Sequence, residues 1–141
     1  MSDPYDLRRF VETQRTIYDG ALAELRRGRK ASHWMWFIFP QIAGLGMSAM
    51  SQHYSISCLE EARAYLDQPV LGPRLVECIR AVNAVEGCSA YEIFGPPDDM
   101  KFRSSLTLFA AAAPDNPIFA EALARYFGGE ADPLTLEKLG A

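Results

Sequence analysis

Cysteine is sparse and irregularly placed in this chain. Cys58, Cys78 and Cys88 are its three cysteines. Their number is odd and no Cys-x-x-Cys spacing occurs, so neither a disulfide framework nor a thiolate metal site is expected. Histidine is rarer still: His33 and His53 lie far apart, without cysteine or acidic partners at ligand spacing, and no metal is expected. Long apolar runs are missing too. The longest, Trp34 to Phe39, falls far short of the roughly 20 residues a bilayer span needs, and the opening Met-Ser-Asp-Pro carries no apolar leader segment. Together these lacks predict a soluble chain in a reducing cytoplasm, without membrane association. Positive charge is not in excess either. A net charge of -4 and a pI near 5.2 argue against broad binding of nucleic acid. No stretch alternates apolar and polar residues at strand period, and no repeat or low-complexity tract interrupts the pattern.

What is present is helical punctuation around apolar stripes. Hydrophobic residues make up 49% of the chain and charged residues 23%, which suits one packed domain over residues 1–141 rather than disorder. Asp3-Pro4 predicts an N-cap and first helical position. Leu7, Phe10, Val11, Gln14, Ile17, Tyr18, Ala21, Leu22 and Leu25 then recur at helical spacing up to a stop at Gly28. Ser32 is a candidate cap for a short helix through His33–Phe39, ended near Pro40. Ser48 is another, for a segment reaching Tyr54. Ser57-Cys58-Leu59-Glu60 and Ser89-Ala90-Tyr91-Glu92 both fit a capping box. Leu71, Leu75, Cys78, Ile79 and Val82 keep helical period after Pro69. Asp98 or Asp99 opens a further helix to about Ala113, and Asn116-Pro117 and Asp132-Pro133 repeat a cap-then-proline signature. The expected fold is an all-α, single-domain multihelical array of about seven or eight helices, several of them short.

Two blocks combine chemistry with that scaffold. The first is Ser32-His33-Trp34-Met35-Trp36-Phe37-Ile38-Phe39-Pro40-Gln41, following the basic turn Arg26-Arg27-Gly28-Arg29-Lys30. A short helix that is apolar nearly all round is buried on more than one side, so most of its rings are expected in the core. Lys30 and His33 stand at its margin, where a helix start and two nitrogen bases suit an anion. A tryptophan there can stack on a flat or cationic group. Gln41 to Ser48, with Gly44 and Gly46, reads as a loop whose backbone N–H groups can approach an anion, or as a plain turn. It is neither a dinucleotide fingerprint nor a P-loop, and no cofactor is expected. The second block is Asp98 to Ser105, where Lys101, Ser104 and Ser105 share a helix face. A Ser–Lys nucleophile there would need a desolvated lysine and an oxyanion site, and the sequence shows neither. Arg74 and Glu61 are candidates for a buried ion pair, or equally for surface charges.

The pattern Gly28-Arg29-Lys30-x-Ser32-His33-Trp34-Met35-Trp36-x-x-Phe39-Pro40-Gln41, followed by Gly44-Leu45-Gly46-x-Ser48, resembles domain-of-unknown-function family 1810. The resemblance continues through Tyr54, Glu61-Ala62, Tyr65-Leu66, Leu71-Gly72-x-Arg74-Leu75, Lys101-x-x-Ser104-Ser105-x-Thr107-Leu108-Phe109 and Phe127-Gly128-Gly129. It implies a multihelical domain of a mostly bacterial family, and it carries over no activity. Some members are labelled calpastatin, a long disordered inhibitor that is physically unlike this apolar, regularly capped chain. The resemblance also marks Lys30, His33, Trp34, Trp36, Gln41, Ser48, Lys101, Ser104 and Ser105 as motif positions.

The functional expectation is a cleft for a small anionic or nucleotide-like ligand. It would be built from Lys30, His33, Trp36, Gln41, Ser48, Lys101, Ser104 and Ser105, with His33 as the acid or base of any reaction. The sequence names no reaction. The competing expectation is a non-enzymatic helical module that recruits a protein through an exposed apolar helix face. A homodimer is compatible with both and is not read from the sequence.

Overall fold

The computed structural model describes residues 3–46 and 48–140. Among these residues the chain forms nine helices and no strand. They are α1 (Arg8–Arg26), α2 (Met35–Ile38), α3 (Ala49–His53), α4 (Leu59–Asp67), α5 (Leu71–Asn83), α6 (Ala90–Phe94), α7 (Asp98–Ala112), α8 (Ile118–Phe127) and α9 (Pro133–Lys138). The all-α expectation holds, with nine helices among the described residues against the seven or eight expected. One isolated parallel bridge, Ile42 with Ile56, ties together the two ends of the segment that contains α3.

Packing follows from which faces are apolar. In α7, residues Ser104 to Phe109 are all buried, so the middle of this helix has no solvent face and must lie centrally. It packs against α4, α6, α8 and α9, while α5 packs against α1, α4 and α8. Amphipathic α1 turns Phe10, Gln14, Tyr18, Ala21, Leu22 and Leu25 inward. The aromatic block supplies the core beside α7. Phe39 meets Phe102 edge-on at 4.9 Å and Phe94 at 5.9 Å, and Phe94 stacks on Phe102 at 4.6 Å. Trp34, Met35, Phe37, Ile38 and Phe39 are all buried, and Trp36 alone in that run remains partly open.

Three of the expected N-caps form as their sequences suggest. Ser48 accepts from the Ser51 N–H, Ser89 and Glu92 complete a capping box, and Asp132 caps α9 ahead of Pro133. Gly28, at φ 78°, closes α1. Its N–H donates to the Leu25 carbonyl and the Arg29 N–H to the Glu24 carbonyl, the two bonds of a Schellman motif.

Three local expectations are corrected. Helix α1 begins at Arg8, not Pro4. The Asp3 carboxylate accepts from the N–H groups of Leu7 and Arg8 across an intervening turn, in which Asp6 adopts φ 52°. Ser32 does not cap α2, whose N-cap position is Trp34, because its hydroxyl is taken by a buried carboxylate described below. At α4, Glu61 rather than Glu60 reaches back to Ser57, accepting from both its N–H and its hydroxyl. Glu61 also pairs with Arg9 at 2.8 Å, and not with Arg74. Arg9 comes from α1 and also donates to the carbonyls of His53 and Ser55, so the buried charge is met by a partner distant in sequence.

Candidate functional site

The segment between α1 and α2 contains the basic turn, and one residue of α1 sets its shape. Glu24 is 7% exposed. Its Oε1 accepts from the N–H groups of Ala31 and Ser32 and from the Trp34 indole, and its Oε2 accepts from the Ser32 hydroxyl. Burial alone would raise the carboxyl's pKa. The donors from Ala31, Ser32 and Trp34 outweigh that and hold it at about 2. An ionised carboxylate thus folds the loop, seats Trp34 in the core and leaves Lys30, Ser32 and His33 at one edge. The Lys30 N–H donates to the Ile93 carbonyl, which fastens the loop to α6.

That edge borders a cleft of about 410 Å³ between the α1–α2 segment and the start of α7. Among the described residues its walls include Lys30, His33, Trp36, Phe94, Asp98 and Lys101, with Pro96 and Pro97 beside them. The Lys30 ammonium lies 2.9 Å from Asp98 Oδ2 and 5.2 Å above the Trp34 ring. The Lys101 ammonium lies 3.6 Å from Asp98 Oδ1 and 5.0 Å above the Trp36 ring. Each cation is therefore held between one indole face and one oxygen of the same carboxylate. Asp98 itself sits in the first turn of α7, where negative charge is favoured by the helix dipole. The Lys30 side chain is 8% exposed and that of Lys101 24%, so Lys101 is the cation with room for an incoming group.

The cleft thus gathers Lys30, His33, Trp36 and Lys101. It does not gather the other candidates. Gln41 lies on the far side of Trp36, in a crevice of about 10 Å³ shared with Ser51, Tyr54 and Lys101, room for a water at most. Ser48 caps α3 and donates to the Ser51 hydroxyl, which in turn accepts from the Trp36 indole N–H at 3.1 Å. Its contribution to the cleft is to orient Trp36 through Ser51. Ser104 is buried, with its hydroxyl 3.1 Å from both the Met100 carbonyl and Asp132 Oδ2. Asp132 also accepts from the N–H and hydroxyl of Thr135, and its own N–H donates to Thr107. Ser104 and Thr107 therefore fasten α9 onto α7. Ser105 is 1% exposed, and its hydroxyl has no partner among the described residues.

Two residues central to this geometry were not singled out from the sequence. Asp98 opens the second block and its helix but is not among the expected ligand-binding residues, although an acidic residue three positions before Lys101 on one helix is a local signal for pairing. Glu24 carries no local signal at all, since its partners lie beyond the end of its own helix.

The fold and cleft define a class: an all-helical domain in which two lysines share one carboxylate beside a pair of indoles. The chain belongs to the family described as "Protein of unknown function (DUF1810)", whose model matches residues 4–139. It is also similar to a solved structure, the conserved hypothetical protein Rv1873 from Mycobacterium tuberculosis. The two are 54% identical, superpose with a TM-score of 0.97, and match over 99% of each chain. Among curated proteins, none matches. No helix among the described residues is long and apolar enough to cross a membrane.

Proposed function

We propose that the cleft binds a small anionic ligand of nucleotide type. The observation that carries this reading is that Lys30 and Lys101 share a single carboxylate, Asp98, in a concavity of about 410 Å³. Two ammonium groups against one carboxylate leave a local positive charge on a chain whose net charge is -4. A phosphate or carboxylate of the ligand would meet Lys101, and Trp36, Phe94 and the Pro96-Pro97 wall would take a flat or apolar portion. Lys30 would hold Asp98 in place rather than contact ligand. His33 is exposed at the rim and makes no hydrogen bond among the described residues, so it is available as an acid or base should the bound molecule be turned over.

The large apolar side chains exposed among the described residues are Met50, Tyr91, Met100 and Leu134. They sit one each on α3, α6, α7 and α9, a scatter that favours the ligand reading over the protein-recruiting alternative. A bacterial, cytoplasmic setting fits the three free cysteines and the mycobacterial relative.

The test is a thermal-shift screen against nucleotides, ADP-ribose and sugar phosphates, repeated with the His33→Ala/Lys101→Ala double variant. Stabilisation of the parent chain that is lost in the variant is expected. No stabilisation by any probe, or the same stabilisation of both proteins, would contradict the reading.

A further inference from the structure

A second charged concavity lies outside the cleft, where the end of α1 meets the outer side of α5. It measures about 490 Å³ and is lined by Arg26, Pro73, Arg74, Glu77, Arg80 and Ala81. Three arginines and one glutamate therefore line it, and the glutamate is partly engaged. Glu77 Oε1 accepts from the Tyr18 hydroxyl, and its Oε2 stands 3.9 Å from Arg26.

Arg74 is preorganised without a carboxylate partner among the described residues. Its guanidinium lies 4.6 Å over the Tyr18 ring, and its Nη1 donates to Gln14 Oε1 at 3.4 Å. Gln14 is itself pinned, 1% exposed and donating to the Phe37 carbonyl. Arg80 has no carboxylate within ion-pair distance among the described residues, and it is exposed. Arg74 and Arg80 stand about 9 Å apart along the helix axis, six residues at the helical rise. A lone phosphate is small for that span, whereas two or three linked phosphates can engage guanidinium forks on both helices.

We propose that the α1–α5 concavity is an oligophosphate site, in which Arg74 is the fixed anchor and Arg26 and Arg80 close on the chain of phosphates. This site is independent of the lysine cleft, so each can fail without the other. The test is calorimetric titration of the full chain with phosphate, pyrophosphate, tripolyphosphate and citrate. Arg26→Ala/Arg80→Ala and Lys101→Ala variants are titrated alongside, with amide NMR spectra to locate the perturbation. Both substituted arginines have largely exposed side chains, so folding should survive their removal. Tripolyphosphate should bind more tightly than phosphate and shift amides in residues 73–81. Its affinity for this site, read from the amides of residues 73–81, should fall at least about tenfold in the double arginine variant, while those same shifts should persist in Lys101→Ala. The proposal is overturned by unchanged affinity in the arginine variant, by citrate binding as tightly as tripolyphosphate, or by shifts confined to the lysine cleft.

Discussion

Lys30 and Asp98 lie 68 positions apart in the sequence, yet their charged groups meet at 2.9 Å in the cleft wall. The contact joins the α1–α2 segment to the start of α7. It also places Asp98, the acidic group among the cleft's described residues, where an anionic ligand would compete with it. Asp98→Asn should therefore have two opposed effects. Removing the negative charge should strengthen anion binding by about three- to tenfold, since charges a few ångströms apart near a surface interact by about 1 kcal/mol or more. Leaving the Lys30 ammonium without its counter-ion, at 8% exposure, should cost about 1–3 kcal/mol of stability. Titration calorimetry and urea unfolding read the two effects separately, and a variant weaker in both would contradict the competition.

Glu24 should be the most sensitive polar position in the loop. Glu24→Gln replaces a carboxylate that accepts four hydrogen bonds with an amide that turns a donor toward donors. A loss of about 2–4 kcal/mol is expected in urea unfolding at neutral pH. The effect has a pH signature. The folded-state pKa of about 2 lies below the ordinary 4.5, so the stabilisation is fully present above about pH 4.5 and is lost as pH falls toward 2. The gap between the parent and variant unfolding midpoints should narrow over that window. A gap constant from pH 7 to pH 2.5 would contradict this assignment.

Gly72 is fixed by close approach rather than by a turn. A Cβ at this position would lie 2.0 Å from the Leu66 carbonyl oxygen, a backbone atom that cannot swing aside. Gly72→Ala should force α4 and α5 apart and cost about 3 kcal/mol or more. A change below about 1 kcal/mol in urea unfolding would show that the two helices can separate freely there.

Ser104 and Ser105 are neighbours with different burdens. Ser104→Ala removes a bond to the Asp132 cap of α9 and should cost about 1–2 kcal/mol. Ser105→Ala removes a buried hydroxyl without a partner among the described residues and should be neutral or stabilising by up to about 1 kcal/mol. Neither substitution should alter ligand affinity, because neither side chain lines the cleft. Loss of binding in either variant would return these serines to the site.

The parts of the fold that were legible in the sequence are those written within a few residues. Ser48, Ser89, Asp132 and Gly28 act through bonds to backbone groups at most four positions away, so the residue type alone predicts them. The misreadings arose where a distant group took over a local one. Ser32 looks like a cap but gives its hydroxyl to Glu24, and Glu61 finds Arg9 across 52 residues. The same division runs through the site. Lys30, His33 and Trp36 were found because they share one short segment, and Lys101 because its helix face was visible. That Ser104 turns to α9 while Asp98 turns to Lys30 depends on how α7 is surrounded, and no spacing along α7 encodes it.

The most direct measurement of the central claim uses the chain's two indole N–H groups as reporters. In a proton–nitrogen NMR titration with ATP or ADP-ribose, the Trp36 indole signal should shift saturably. Trp34, buried with its N–H on Glu24, should move little, and Lys101→Ala should abolish the response. A Trp36 signal that stays fixed while the amides of residues 73–81 move, or that stays fixed at millimolar ligand altogether, would contradict the assignment of the cleft as the binding site.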